Sequence, residues 1–152
     1  MEAFRLVREA FSGTLSGIGC GLYGGRWNSS GIELIYTSLN RSLAMAEVVV
    51  HFDILTIPDE YLMMTLYIPD DISLKKMNQT DLPPNWNDFP SPSSNLIIGD
   101  RFVFENQYCV LMIPSSVTKG DYNSLINPNH RDFARINIIN TEKFPFDKRI
   151  FK

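Results

Sequence analysis

The chain has 152 residues, of which 44% are hydrophobic and 20% are charged, and this size and composition predict one globular domain with its own core. Its net charge of -3 and its scattered Lys and Arg residues argue against direct nucleic-acid binding and against a surface for anionic lipid. No apolar run approaches the roughly 18 to 20 residues that span a bilayer, and the first residues carry charges where a signal peptide is apolar. We therefore expect a cytoplasmic protein that does not contact membranes.

The cysteines and histidines limit the redox and metal chemistry that we expect. Cys20 and Cys109 lack C-x-x-C spacing, which favours two reduced thiols over the alternative of a single disulfide. His51 and His130 lie far apart in sequence, without a paired carboxylate or cysteine pattern. The sequence therefore predicts no metal site.

The first half of the chain predicts two buried strands with a helix between them. Residues 32–39 (IELIYTSL) place apolar side chains on both sides of an extended segment, which predicts a well-buried strand. Asn40 is a good helix-capping residue, and residues 43–55 are apolar almost all round, so we expect a helix inside the domain. Residues 61–68 (YLMMTLYI) predict a second buried strand, which ends at a Pro-Asp-Asp turn.

The second half of the chain predicts fewer regular elements. Residues 80–94 are rich in Pro, Asn and Ser, which is typical of a long surface loop, either a lid or a connection. A short helix should begin near Asp100, and residues 107–114 (QYCVLMIP) predict a third buried strand. Residues 123–133 should form a loop, and two short strand-like pieces should follow it. Several strands with few helices predict a mixed α+β fold.

The glycine-rich segment contains G-x-G-x-x-G at residues 19–24. A dinucleotide-binding loop of this kind follows a strand and opens a helix, because the helix N-terminus holds the pyrophosphate. The residues upstream are too short and too broken by glycine for a central strand, and those downstream lead to another turn. We therefore predict a glycine-rich loop outside a Rossmann fold, which places Arg26, Trp27 and Asn28 just before a buried strand.

Two polar residues have both a structural and a functional interpretation. Glu47 lies in the middle of the apolar face of the predicted helix, where a carboxylate needs either an opposed arginine or a hydrogen-bond network. A structural ion pair and a catalytic role are both open at this position. Ser115 follows a buried strand, as a turn serine or as a side chain that projects into a cleft. No G-x-S-x-G motif accompanies it, which argues against a hydrolase triad.

Arginine, glutamate and serine in this order and in these surroundings resemble the RES-domain toxin family, which is named for those three residues. The resemblance covers nearly the whole chain. Its main segments are FRL at 4–6, GGRWN at 24–28, LAMAE at 43–47 with His51, IPS at 113–115, and NPNHRDF at 127–133. For residues 1–152 it implies a single RES domain, with a mixed α+β fold similar to ADP-ribosyltransferases and a cleft for NAD⁺.

The same resemblance implies an activity and a partner. Family members are toxins of bacterial type II toxin–antitoxin systems that degrade NAD⁺, so we expect an NAD⁺ glycohydrolase or NAD⁺ phosphorylase that arrests growth. NAD⁺ would be the substrate, with no separate cofactor. The expected partner is an Xre-type helix-turn-helix antitoxin, bound to a toxin homodimer. An ADP-ribosyltransferase that modifies a protein target and a non-catalytic antitoxin-binding module remain as alternatives.

Carried over by position, the resemblance implies five active-site residues: Arg5, Arg26, Tyr36, Glu47 and Ser115. Of these, Glu47, Arg26 and Ser115 are the predicted catalytic residues. Glu47 would stabilise the ribosyl oxocarbenium ion as the N-glycosidic bond breaks. Arg26 and Arg5 would bind the pyrophosphate through charge-assisted hydrogen bonds.

The remaining predicted contacts concern the nicotinamide end of NAD⁺. Tyr36 would stack on nicotinamide, and Ser115 would donate a hydrogen bond to nicotinamide or ribose. Trp27 and Asn28, which follow Arg26, are further predicted NAD⁺-binding residues. Ser116 occupies a position where the family usually has a small apolar residue, so either Ser115 or Ser116 faces the site.

Overall fold

The computed structural model describes residues 1–52 and 60–151, which form a seven-stranded sheet with three α-helices. The strands are Glu2–Arg8 (β1), Ile35–Ser38 (β2), Tyr61–Tyr67 (β3), Leu74–Lys76 (β4), Val110–Pro114 (β5), Tyr122–Ile126 (β6) and Asn137–Lys143 (β7). The helices are Ile18–Tyr23 (α1), Arg41–Val49 (α2) and Ser94–Glu105 (α3). Short 3-10 helices occur at Glu9–Phe11, Gln79–Asp81, Arg131–Arg135 and Lys148–Phe151.

The sheet is mixed, with the strand order β4-β5-β6-β2-β1-β3-β7. Only β4 and β5 run parallel, and every other neighbouring pair is antiparallel. β1 pairs with β3 over its whole length, but with β2 it shares only the pair Phe4 and Ser38. The sheet therefore separates between β1 and β2. The mixed α+β fold predicted from the sequence is confirmed.

The core lies on both faces of the sheet. In β3, Met63 and Met64 are both buried although successive side chains of a strand point to opposite faces. Both faces are covered here, which explains why the apolar run at 61–68 correctly predicted this strand. Beyond β2, Trp27 and Trp86 stack with ring centroids 6.2 Å apart beneath α3.

Helix α2 differs in part from its prediction. Asn40 caps it as predicted, because its side-chain oxygen accepts a hydrogen bond of 2.7 Å from the Leu43 amide. The helix ends at Val49, and residues 53–55 of the predicted helix lie outside the described residues. The expectation of a helix wholly inside the domain was wrong, since only Leu43 and Ala44 of α2 are buried. The first turn packs on β1 and β2, and the later turns border a cavity.

The glycine-rich segment also contains a helix that the sequence did not predict. Residues 18–23 form α1, and a Cβ added at Gly21 would meet Glu33 Cγ at 2.8 Å. A larger residue at Gly21 would therefore force the Glu33 side chain to shift, so glycine allows α1 to lie close to this residue. β1 ends at Arg8, and α1 begins ten residues later, so the G-x-G-x-x-G motif does not join a strand to a helix. The prediction that this is not a Rossmann loop is confirmed.

The largest error lies in residues 123–133, which were predicted as a loop. They contain most of β6, which pairs with both β5 and β2 inside the sheet. Strands β1 and β4 were also missed, α3 begins at Ser94 and not near Asp100, and the tail forms one strand and not two. Residues 80–94 are largely irregular, as predicted. Both cysteines are free, also as predicted.

No helix within residues 1–52 and 60–151 has both the length and the apolar character needed to cross a bilayer.

Candidate active site

A cavity of about 780 Å³ opens where β1 and β2 separate. Its wall is built from β1, the segment after α1, β2, α2, the loop at 87–91, and the start of β6. Pockets of this size bury most of a drug-sized or nucleotide-sized ligand. The cavity is therefore the natural place to look for the predicted site residues.

Glu47 is held in this cavity by two hydrogen bonds to the same carboxylate oxygen. Its Oε1 accepts from Ser115 Oγ at 2.7 Å and from Asn123 Nδ2 at 2.6 Å. Of the ion pairs between described residues, none involves Glu47. Of the two ways to accommodate this carboxylate, the hydrogen-bond network is therefore the one observed. Among the described residues, no donor binds Oε2.

The sheet explains why these donors converge. Asn123 of β6 lies directly opposite Ile113 of β5, and residues two apart on a strand point to the same side. Ser115, two residues after Ile113, therefore emerges on the same side as Asn123. The Ser115 hydroxyl accepts from the amides of Val117 and Thr118 at 3.0 and 3.1 Å, which leaves its proton directed at Glu47.

Arg26 lies on another part of the cavity wall. Its Nη1 donates to the carbonyl oxygens of Trp86 and Asp88, both at 2.9 Å, so one arm of the guanidinium ties it to the loop at 87–91. Burial lowers the pKa of Arg26, and the carboxylate of Glu47 acts in the opposite direction. An arginine remains protonated despite such a shift. The cavity therefore contains a cation close to the carboxylate of Glu47.

Arg5 supplies a second positive charge from β1. Its Nη1 donates to the Ser16 carbonyl oxygen at 2.9 Å, and Cys20 lies beside it on the cavity wall. Burial lowers the pKa of Arg5 and raises that of Cys20, because both charged forms are desolvated.

Within residues 1–52 and 60–151, no group of three or more His, Cys, Asp and Glu could hold a metal ion.

The ring of Tyr36 lines the cavity, and its hydroxyl forms hydrogen bonds with other residues of the protein. The hydroxyl donates to Asn28 Oδ1 at 2.6 Å and accepts from the Trp27 amide at 3.0 Å. Burial raises the pKa of Tyr36, so its hydroxyl stays protonated and continues to donate. A Cβ added at Gly25 would meet this hydroxyl at 2.7 Å, which accounts for the glycine before Arg26.

The predicted site residues fall into two groups. The cavity wall includes Arg5, Arg26, Trp27, Tyr36 and Glu47. Asn28 is fully buried, and its Nδ2 donates to the carbonyl oxygens of Cys20 and Ile32, so it shapes the segment that carries Arg26. Ser115 is buried against Glu47, and of these two neighbouring serines it is Ser116 that lines the cavity.

The structure adds wall residues that sequence reasoning missed. Asn123 and Ser38 lie beside Glu47, and Asn87, Phe89 and Ser91 form the edge that faces Arg26. Asn123 was assigned to a loop because Asn and Ser are typical turn residues. A usable signal was present, since a buried strand followed by a short segment with a glycine, here Gly120 at φ +97°, is typical of a β-hairpin.

Comparisons with known proteins agree with this architecture. A family model described as the RES domain matches residues 2–147. A protein named Toxin Res from Yersinia enterocolitica is 31% identical over 152 residues, which cover 99% of each chain. The Prs ADP-ribosylating toxin of a Sphingobium strain is 29% identical over 140 residues, which cover 91% of this chain and 87% of the relative.

One solved structure extends the comparison to the fold. A chain in the crystal structure of the M. tuberculosis MbcT-MbcA toxin–antitoxin complex superposes with a TM-score of 0.76. It covers 99% of this chain and 86% of that chain, at 15% identity. A likeness at this identity concerns the fold alone, and it agrees with the predicted mixed α+β domain.

Proposed function

This chain belongs to the RES domain family, and we propose that it is the toxin of a toxin–antitoxin pair that cleaves the nicotinamide–ribose bond of NAD⁺. One observation carries the proposal. The Glu47 carboxylate is fixed by hydrogen bonds from Ser115 and Asn123, in a cavity that also holds two arginines. A fixed anion together with cations suits a substrate that combines a ribosyl cation in the transition state with an anionic pyrophosphate.

The chemistry of the bond explains the carboxylate. Nicotinamide leaves with the electron pair of the C–N bond and becomes neutral, so positive charge develops on the ribose, as in glycoside cleavage. Glu47 stabilises this charge through Oε2, the oxygen without a donor among the described residues. Water then adds at the same carbon and releases one proton, which gives ADP-ribose. If phosphate adds in place of water, the product is a phosphorylated ADP-ribose.

The arginines suit the pyrophosphate. Arg5 uses Nη1 to hold one backbone carbonyl and Arg26 uses Nη1 to hold two, and the remaining N–H groups of both have no partner among the described residues. Charge-assisted hydrogen bonds of this kind contribute about 1.5 to 3 kcal/mol each. Both side chains are partly immobilised before the ligand arrives, which reduces the entropy lost on binding.

Ser115 and Ser116 have different roles in our proposal, whereas the family resemblance implied one role for Ser115. Ser115 donates to Glu47, so in our proposal it acts through the carboxylate. Ser116 lines the cavity, and its hydroxyl is the one we assign to nicotinamide or ribose. The ring of Tyr36 lies on the same wall and is positioned to stack on an aromatic ligand.

We propose an antitoxin as the protein partner. The support is the likeness in fold to a chain of the MbcT-MbcA complex and the kinship with proteins named Toxin Res. The Xre-type helix-turn-helix class of this antitoxin, a toxin homodimer within the complex, and a cytoplasmic location remain predictions from the family resemblance.

A second candidate function is ADP-ribosylation of a protein. The name of the Sphingobium relative, an ADP-ribosylating toxin, favours it. It would use the same residues and the same developing ribosyl cation, and a nucleophilic side chain of the target would replace water. The non-catalytic alternative would leave the Glu47 network without a function.

The test is to incubate the purified protein with NAD⁺, with and without inorganic phosphate, and to follow nicotinamide release together with the ribosyl product. We expect nicotinamide in both cases or with phosphate only, and the product identifies the acceptor. A Glu105→Gln variant, altered at an exposed carboxylate on α3, is the matched control and should behave as the wild type.

Transfer of labelled ADP-ribose to a protein band, without soluble product, would favour the second candidate. Absence of nicotinamide release under all conditions would contradict both enzymatic proposals and leave the antitoxin-binding module.

A further inference from the structure

Asn123 is a buried polar residue of β6 that donates a hydrogen bond to Glu47 and that the sequence did not indicate as a site residue. Only 8% of it is exposed, and it lies in register with Ser38 of β2 on one side and Ile113 of β5 on the other. A residue paired on both sides inside a sheet has little freedom to move. Its side chain therefore starts from a fixed backbone position, which limits the movement of any group that it binds.

The orientation of the Asn123 amide is determined by its two partners. Its Oδ1 accepts from Ser38 Oγ at 2.8 Å, and its Nδ2 donates to Glu47 Oε1 at 2.6 Å. The opposite orientation would place the amide oxygen against the carboxylate, without a hydrogen between the two oxygens. The carboxylate of Glu47 can only accept, so it selects the Nδ2 end of the amide, and Ser38, only 3% exposed, holds the Oδ1 end in place.

This arrangement controls the direction of the Glu47 carboxylate. The donor Ser115 follows directly after β5, the donor Asn123 lies in the adjacent strand β6, and both meet at one oxygen, Oε1. Rotation of the carboxylate would break both bonds, so Oε2 keeps a constant direction into the cavity. Loss of one donor leaves a single hydrogen bond, about which the carboxylate can turn.

We propose that Asn123, held in place by Ser38, is a positioning residue that aims Glu47 at the ribosyl cation. This inference rests on the proposed NAD⁺ cleavage. Asn123 acts through Glu47, so its removal should lower kcat and leave the KM for NAD⁺ nearly unchanged. A misplacement of a catalytic group by about 1 Å can cost on the order of 100-fold in rate.

The test compares kcat and KM for NAD⁺ in the wild type, N123A, N123S and S38A. We expect kcat to fall about 10- to 100-fold in N123A, with KM within about threefold of the wild type. N123S keeps a polar group in the sheet but is too short to maintain the bond to Glu47, so it should lose a similar factor. S38A should lower kcat in the same direction by a smaller factor.

The matched control is N127A, a variant of another fully buried asparagine, one residue beyond β6. Its Nδ2 donates to Asn106 Oδ1 at 2.8 Å, away from the cavity. N127A should lower the thermal midpoint and leave kcat close to the wild-type value. Equal losses of kcat in N127A and N123A, or a kcat in N123A and N123S like that of the wild type, would overturn the proposal.

Crystal structures of the wild type and N123A separate this proposal from the proposed function. We expect the carboxylate of Glu47 to change direction in N123A while β5 and β6 stay in place. An unchanged carboxylate would overturn the positioning role, whatever the activity. A wild type that does not cleave NAD⁺ would contradict the proposed function, and the direction of Glu47 in the two structures would still decide the role of Asn123.

Discussion

The two charged sides of the cavity are built in different ways. On the carboxylate side, Glu47 is held by side-chain donors from the end of β5 and from β6, and those donors are themselves fixed by further hydrogen bonds. On the arginine side, Arg5 and Arg26 are each tied through one nitrogen to backbone carbonyls of irregular segments. The carboxylate of Glu47 is therefore anchored to the sheet, whereas the guanidinium groups of Arg5 and Arg26 are anchored to loops.

The difference follows from what each side has to do in the proposed reaction. Stabilising a charge that exists only in the transition state requires a donor set that is already in place, because reorganisation would consume the gain. Binding a pyrophosphate that is charged before and after the reaction tolerates some adjustment of the guanidinium groups. Changes on the carboxylate side should therefore lower kcat, and changes on the arginine side should raise KM.

The largest expected effect comes from Glu47→Gln, which keeps the shape and the hydrogen-bond acceptor but removes the charge. We expect kcat for NAD⁺ cleavage to fall on the order of 100- to 1,000-fold, the cost of removing one electrostatic stabiliser. Growth arrest on expression of the protein alone should be relieved, while circular dichroism remains that of the folded wild type. Turnover in E47Q equal to that of the Glu105→Gln control would show that Glu47 is structural.

An intermediate effect is expected from Arg26→Ala. Loss of one or two charge-assisted contacts to the pyrophosphate should lower kcat/KM about 10- to 150-fold, mainly through KM. Arg26→Lys keeps the charge without the planar fork and should recover only part of the loss. The control is Arg101→Ala, an exposed arginine on α3 paired with Glu105. If R26A lowered kcat and left KM unchanged, the contrast between the two sides would be wrong.

The smallest effect on activity is expected from Tyr36→Phe. The ring remains on the cavity wall, so kcat/KM should stay within about tenfold of the wild-type value. The lost hydroxyl leaves Asn28 Oδ1 and the Trp27 amide without this partner, which should lower the free energy of unfolding by about 1 to 3 kcal/mol. Denaturant unfolding measures this loss, with Tyr67→Phe on the partly exposed end of β3 as the control. A Y36F protein as stable as Y67F would contradict this role for the hydroxyl.

The sequence predicted the elements whose signals are local. The strand at 61–68 is apolar on both faces, and Asn40 caps α2 through a contact three residues away, so neither needed knowledge of the rest of the chain. The family motifs likewise indicated Arg5, Arg26, Tyr36 and Glu47 as site residues, and all four line one cavity. Such patterns can be recognised from the sequence alone, because their residues are close together in the chain or belong to a motif of defined residue types.

The errors occur where pairing decides the structure. Tyr122–Ile126 contains Asn and Ser, which favour turns in isolation, yet it forms a strand because β5 and β2 satisfy its backbone on both sides. The burial of α2 was overestimated because an apolar composition does not distinguish a buried helix from one that borders a cavity. In both cases the missing information was the identity of the neighbours.

The sequence by itself determined the residue types of the site and the family to which the chain belongs. Only the tertiary structure decided which serine contacts Glu47 and which lines the cavity, and that Asn123 completes the carboxylate's donor set. The hydrogen bonds to Glu47 span 68 and 76 residues of sequence. Contacts of such separation are set by the register of β5, β6 and β2, and a one-residue shift in that register would turn Asn123 to the other face of the sheet.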